Sequence, residues 1–275
     1  MHNPFDAATG AYSRVRPDYP SRVVDLALAA PAGGTTRVAD IGAGTGKMTR
    51  LLLERGVDVD AVEPAPAMRA QLEELRDGST APSRPGRQPL LRVVDAAAED
   101  TGLPGGCEDL VTCAQAWHWL DEEAAAREVH RILRPGGAVA VVWNQMDVSV
   151  PWIHRLTRIM RSGDVHRPDR PPHLGDRFTP PELTQVAWSD RMTPRQLMEL
   201  GTTRSSYLRA DAAHREVMQA NLSWYLLDHR DLDPQVPVEI PYTTLLWTAR
   251  RTPVPDPVPD PGEVRSVRGS KSALF

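Results

Sequence analysis

Along the first 150 residues, short apolar runs alternate with longer stretches whose apolar residues recur every three or four positions. Val23, Val24, Ala27 and Leu28 form the first helical stripe, with Ser21 as its predicted N-cap and Pro31 as its stop. After Gly33-Gly34 comes Arg37-Val38-Ala39-Asp40-Ile41, a run short enough for a buried strand. It feeds Gly42-Ala43-Gly44-Thr45-Gly46. Met48, Leu51 and Leu52 then fall at helical spacing, and Gly56 stops that helix. Residues 57–63 read as a second strand and 64–76 as a second helix. Residues 78–89 carry Gly, Ser, Pro and Arg without apolar period and predict an exposed loop. Three further strands are predicted at 90–94, 109–114 and 138–143. Before the last of these, Asp121 is the predicted cap of a helix ended by Pro135-Gly136-Gly137. Ala125, Val129, Ile132 and Leu133 share its buried face, and His130 is assigned to its solvent side.

Apolar strands alternating with amphipathic helices predict an α/β fold. The expected form is a doubly wound, mostly parallel Rossmann-like sheet with helices on both faces. Regularity fails after Pro151. Residues 151–235 read as helix-rich, with a polar, proline-bearing interruption at 167–172 and, after it, two helices at 194–209 and 212–227, and suit a helical lid or insertion on the substrate side. Residues 242–248 predict a strand returning to the sheet. Beyond Arg251, alternating prolines predict a disordered tail. The expected division is therefore an N-terminal lid at 1–30, a core at 31–150, the insertion at 151–235, a return strand at 236–251 and the tail at 252–275.

Composition narrows the class. The 275 residues are 41% hydrophobic and 25% charged, with a formal net charge of −4, as in ordinary globular proteins. No stretch reaches the roughly 20 apolar residues of a membrane span, and Met1–Asp6 lacks the basic start and apolar block of a secretory signal. Cys107 and Cys113 are the only cysteines, too few for a disulfide framework or a multi-cysteine metal site. Lys47 and Lys271 are the only lysines, so the positive charge is almost all arginine, and no basic tract or recognition domain points to nucleic acid. The expectation is a cytoplasmic protein with no membrane, nucleic-acid or metal partner. Its aromatic-dotted leader makes a homo-oligomer possible.

Spacing decides which ligand the glycine turn suits. A dinucleotide fingerprint needs Gly at 47, where Lys47 stands; a phosphate-cradling loop needs Gly at 41 and Ser or Thr at 48, where Ile41 and Met48 stand. The run Asp40-x-Gly42-x-Gly44-x-Gly46 instead resembles the first motif of the class I S-adenosylmethionine-dependent methyltransferases. Glu63 at the end of the second strand, Pro64 and Met68, the segment Ala98-Glu99-Asp100-Thr101-Gly102-Leu103-Pro104, Asp109-Leu110-Val111 and Leu133-Arg134-Pro135-Gly136-Gly137 follow in the order of that family. The resemblance spans residues 36–145. Phe5, Tyr12, Arg16-Pro17-x-Tyr19-Pro20, Ala114-Gln115-Ala116-Trp117-His118-Trp119 and Thr203-Arg204-Ser205 are similar to its small-molecule branch, which includes trans-aconitate methyltransferase-like proteins.

The resemblance implies S-adenosylmethionine as cofactor, held by Asp40, Gly42, Ala43, Gly44, Gly46, Glu63, Pro64, Met68, Ala98, Glu99 and Gln115. Glu63 would grip both ribose hydroxyls, since one carboxylate accepts from two donors. Pro64 and Met68 would lie against adenine. Ala96 and Ala97 stand where many relatives have Gly-Asp, which shifts adenine recognition toward backbone groups near Ala98. Tyr12, Arg16, Tyr19, Trp117, Trp119 and Arg204 are the implied substrate contacts. Tyr12 and His118 are the implied catalytic residues, His118 as proton acceptor near neutral pH; packing at a helix start is the competing role for Trp117, His118 and Trp119. The expected activity is methyl transfer to a small metabolite, oxygen favoured over nitrogen or carbon. A non-catalytic cofactor-binding or scaffolding protein is the alternative.

Overall fold

The computed structural model describes residues 15–78, 88–161 and 166–253. Seven strands form one sheet: β1 (Arg37–Ile41), β2 (Asp58–Val62), β3 (Leu91–Val94), β4 (Glu108–Ala114), β5 (Leu133–Met146), β6 (Glu182–Met192) and β7 (Val238–Arg250), in the order β3-β2-β1-β4-β5-β7-β6. The first five are parallel; β7 runs antiparallel to both β5 and β6. This is the doubly wound, mostly parallel architecture expected. The order reverses between β1 and β4, and ligands of such sheets bind in the crevice beyond the carboxyl ends of the strands at that reversal.

One sheet face is covered by α1 (Ser21–Leu28), α2 (Lys47–Leu53) and α3 (Pro66–Gly78), whose Val24, Leu52 and Leu72 are fully buried against Val38, Val59 and Leu110. The other face packs α4 (Glu122–Ile132) and the Leu174–Phe178 segment over Val111, Val139, Val141 and Trp247. A third apolar cluster joins α5 (Pro151–Ile159), α6 (Pro194–Thr202), α8 (Ala212–Ser223) and a following π-helical turn (Trp224–His229) to Met146, Met192, Ile240 and Tyr242. The short α7 (Ser205–Leu208) bridges α6 and α8.

Several expectations are corrected. Ser21 does not cap α1: it already lies in the helix, Pro20 is the N-cap, and the Val23 amide donates to the Pro20 carbonyl at 2.9 Å. α1 is buried against the sheet, so within the described part of 1–30 only the stretch before it roofs the site. Residues 151–235 are not all helix: β6 pairs along the full length from Glu182↔Thr248 to Met192↔Val238. His130 is buried, because residues distant in the chain fold over that flank of α4. Its ring meets Phe178 edge-on at 5.8 Å, and its Nε2 lies 3.3 Å from the Thr252 carbonyl. By contrast, Asp121 caps α4 as expected, its carboxylate accepting from the Ala124 amide at 3.0 Å. Tyr12 and the tail from residue 254 lie outside the described residues, as does most of the 78–89 loop.

Candidate functional site

A cavity of about 610 Å³ opens at the carboxyl ends of β1, β2 and β4 and runs on toward the helical layer. Its floor is the glycine turn. Gly42, Gly44 and Gly46 all take left-handed backbone, with φ of 63°, 59° and 86°, a conformation that costs an L side chain about 1–2 kcal/mol. The three differ in what a side chain would meet. A Cβ on Gly42 would fall 2.6 Å from Ala116 and one on Gly46 2.8 Å from Leu72, so those two permit close packing. A Cβ on Gly44 would meet nothing nearer than the Met68 sulfur at 3.9 Å, and Gly44 lines the cavity, so the space beside it is open to the cavity.

Two carboxylates stand at this floor. Glu63 is 5% exposed; its Oε2 accepts from the Gly44 amide and its Oε1 from the Ala65 amide, both at 2.9 Å. The carboxylate thus ties the glycine turn to the end of β2. Asp40, near the end of β1, is buried and accepts from the Thr49 hydroxyl at 2.6 Å and the Thr112 hydroxyl at 2.8 Å. Burial pushes its carboxyl up to about 6, against the two hydroxyls, which favour the anion.

The walls come from short runs: Pro64 and Met68 after β2, Ala97, Ala98 and Glu99 after β3, and Ala114, Gln115 and Ala116 after β4. Glu99 accepts from the Asp121 amide at 3.0 Å, which joins this wall to the cap of α4. Gln115 is held at φ 59°, a left-handed strain uncommon for a non-glycine residue. Its amide donates to the Val142 carbonyl and its side chain to the Asn144 carbonyl, both at 2.8 Å. Asn144 is a junction. Its amide group donates to the Asp18 carbonyl at 2.9 Å, and its oxygen accepts from the Thr244 hydroxyl at 2.6 Å. Asp18 also pairs with Lys47 at 3.0 Å and Arg50 at 3.1 Å. These bonds fasten the leader across the cavity, where Arg16, Pro17 and Tyr19 line it. Arg16 reaches the other side, donating to the Thr203 hydroxyl at 3.0 Å and carbonyl at 2.7 Å.

Of the residues expected at the site, the cavity brings together Asp40, Gly42, Ala43, Gly44, Glu63, Pro64, Met68, Ala98, Glu99, Gln115, Arg16, Tyr19, Trp119 and Arg204. Gly46 supports the turn from behind. Trp117 is corrected: it is fully buried in the core with Ala125 and Val129 and does not line this cavity, because the short 3₁₀ turn Trp117–Trp119 turns one indole inward and leaves the other 49% exposed. His118 is also outside the lining; its ring lies 5.0 Å from Trp119 and 4.9 Å from His166, which stacks on Trp143.

Sequence reasoning missed Lys47, Asn144, Arg209 and Tyr242 among the lining residues. Tyr242 had a readable signal. β7 is antiparallel, so its first residues lie beside the carboxyl end of β5, and Tyr242 pairs with Met146 there. Among the described residues no group of three or more His, Cys, Asp or Glu is disposed to hold a metal.

Comparison with known proteins defines the class. The family model described as a methyltransferase domain matches residues 39–141. An uncharacterized methyltransferase of Mycobacterium tuberculosis is 39% identical over 242 residues, 88% of this chain and 93% of that one. One of Schizosaccharomyces pombe is 25% identical over 257 residues, covering 91% and 98%. A solved structure from Anaeromyxobacter dehalogenans shares the fold, with a TM-score of 0.63 at 22% identity over 87% of this chain and 99% of that one. The chain belongs to the class I S-adenosylmethionine-dependent methyltransferases. S-adenosylmethionine is accordingly its cofactor. The open space at Gly44, beside the buried Glu63 carboxylate, fits that ligand.

Proposed function

We propose that the chain methylates a small-molecule metabolite, with oxygen as the favoured acceptor atom. The observation that carries this reading is the enclosure of the cavity. Its volume, about 610 Å³, lies within the range of small-molecule sites, and the leader crosses it through bonds from Asn144 and to Thr203. A roof fastened on both sides suits a compact acceptor better than a polymer.

When bound, the cofactor supplies a methyl group already activated on a positive sulfonium, so the protein's task is alignment and exclusion of water. Such pre-ordering is worth up to ~7–11 kcal/mol. In this reading Glu63 and the Gly42–Gly44 backbone hold the cofactor, with Asp40 keeping the turn in shape through Thr49 and Thr112. Pro64, Met68 and Ala98 supply its apolar wall. Tyr19, Trp119 and Arg204 orient the acceptor, and Pro17 and Leu120 help to keep water out. An oxygen acceptor fits because a carboxylate or phenolate reacts without a strong base, and no described histidine lines the cavity. Tyr12, which lies outside the described residues, remains a candidate for the cofactor's methionine end.

The test is incubation of purified protein with S-adenosylmethionine and a broad metabolite panel, read by mass spectrometry. A methylated small molecule formed with stoichiometric S-adenosylhomocysteine is the expected result. Methylation of protein or nucleic acid in preference to every metabolite would overturn the reading.

A further inference from the structure

Asn144 stands where β5, β6, β7 and the leader meet, and the hydrogen bonds around it run in one direction. Thr244 is its partner across the β5–β7 pair, and Trp188 of β6 lies diagonal to Thr244, paired with Tyr242. An indole nitrogen can only donate. Trp188 Nε1 donates to the Thr244 hydroxyl at 2.9 Å, and that hydroxyl directs its own hydrogen to the Asn144 oxygen at 2.6 Å. The Asn144 amide therefore turns its NH₂ outward, where it donates to the Asp18 carbonyl at 2.9 Å. The opposite orientation would set carbonyl against carbonyl. Strand pairing does not need this relay, because the β5–β7 ladder already runs from Ala138↔Arg250 to Met146↔Tyr242. What the relay holds is Asp18, beside the glycine turn. Lys47, the residue after Gly46, pairs with the Asp18 carboxylate at 3.0 Å, and Pro17 and Tyr19 on either side line the cavity. That carboxylate is 51% exposed, and ion pairs at such positions contribute little. The neutral bond from Asn144 is the one whose direction is fixed from behind.

We infer that Asn144 is a positioning residue of the methyl-transfer site: its amide, oriented by Trp188 through Thr244, latches the leader over the glycine turn and so sets how often the site opens to exchange S-adenosylmethionine for S-adenosylhomocysteine. Every turnover needs that exchange. A latch on the roof acts on entry and exit alike, since both wait for the same opening, whereas a defect in the cradle itself speeds exit alone. Asn144 also serves the wall. Its backbone carbonyl accepts from the Gln115 side chain at 2.8 Å, a bond that side-chain substitutions at 144 leave in place. Thr244 is fully buried, and neither it nor Trp188 lines the cavity, so changes there reach the leader only through Asn144. The inference rests on the reading that the glycine turn holds the cofactor, and it applies whatever the acceptor.

The test is surface plasmon resonance on the full chain, measuring association and dissociation rates of S-adenosylhomocysteine, with thermal melting alongside. Asn144→Asp keeps the volume and the bond from Thr244 but turns an acceptor toward the Asp18 carbonyl. It is expected to raise both rates, dissociation about tenfold, the size of one lost hydrogen bond. Thr244→Val, nearly isosteric, frees the amide to turn and should raise both about threefold. Trp188→Phe keeps a ring over Tyr242 but removes the donor, and should raise both about twofold. If Asn144→Asp melts early, the other two variants decide. Rates unchanged in the folded variants would overturn the latch, and so would faster dissociation with unaltered association. A wild type that binds no S-adenosylhomocysteine brings down the cofactor-site reading together with the latch, whereas binding at rates that no variant moves defeats the latch alone.

Discussion

Two pairs of buried carboxylates stand toward opposite ends of the parallel strands, and they are held by different kinds of partner. Toward the amino ends, Asp60 of β2 and Glu108 of β4 are bridged by Arg37, at 2.7 Å and 3.0 Å, and Arg92 adds a second contact to Asp60 at 2.8 Å. At the carboxyl ends, Asp40 and Glu63 accept from hydroxyls and backbone amides. Arginine bridges tie these two side chains into the fold across neighbouring strands. At the carboxyl ends the described donors are neutral hydroxyls and amides that hold each carboxylate against the glycine turn or its neighbouring strands. Similar burial thus ties strands together at one end and lines the cavity at the other.

The sharpest way to break this contrast is at the glycine turn that Glu63 holds. Gly44→Val forces a β-branched residue into left-handed backbone and fills the ligand's space. It is expected to cost S-adenosylhomocysteine affinity about hundredfold or more while the chain stays folded. Gly44→Ala, whose Cβ has room in the protein, should lose less. Calorimetry paired with thermal melting separates binding from folding, and unchanged affinity in the valine variant would mean that the turn is not the cofactor cradle.

Next in size is Glu63→Ala, expected to weaken cofactor binding about tenfold to hundredfold, the range for hydrogen bonds to a charged group. His118→Ala, outside the cavity lining, should stay within about threefold by the same scale. The reverse order would show that the carboxyl-end carboxylate is as structural as Asp60.

A smaller effect comes from Asp40. Its carboxyl titrates near 6, so its charge is complete above about pH 7 and is lost as pH falls through 6. If the anion orders the turn, cofactor affinity should be flat above that range and fall about tenfold by roughly one pH unit below the pKa. Asp40→Asn should be weak at every pH and lack that step. A wild-type profile without the step would confine Asp40 to a packing role.

How much of this was legible beforehand follows the chain's continuity. The glycine-turn end of the cavity is built from unbroken runs, 40–46, 63–68 and 114–116, each joined to an apolar strand that announces itself. The far end draws Arg16, Asn144, Arg204 and Tyr242 from four distant segments, and only the fold makes them neighbours. β6 escaped for a different reason. As an edge strand it is nowhere fully apolar: Thr184, Val186, Trp188 and Asp190 turn inward between exposed Gln185, Ala187, Ser189 and Arg191. That alternation is faint beside the helical signals around it. Trp117 and Trp119, two residues apart, show the same limit at smaller scale: residue type does not say which indole faces the core.

The smallest expected effect tests the architectural pair by itself. Burial pushes the Glu108 carboxyl up to about 7, whereas hydrogen bonds from Arg92 and Arg37 outweigh burial at Asp60 and hold it below its ordinary value. Because the folded pKa of Glu108 lies above its unfolded value of 4.5, the folded state binds the extra proton. Its contribution is therefore fully present below that value and is lost as pH rises toward 7. Asp60 has the opposite sign, its contribution fading only in more acid solution. Glu108→Gln removes the first titration and leaves the second. Its melting temperature should vary less between about pH 5 and pH 8 than that of the wild type, by roughly 2–4 °C for each kcal/mol of linkage removed. S-adenosylhomocysteine affinity should be untouched, since Glu108 lies at the other end of the strands. A cofactor affinity that moved with Glu108→Gln would couple the two ends and dissolve the division between the locked pair and the ligand-facing one.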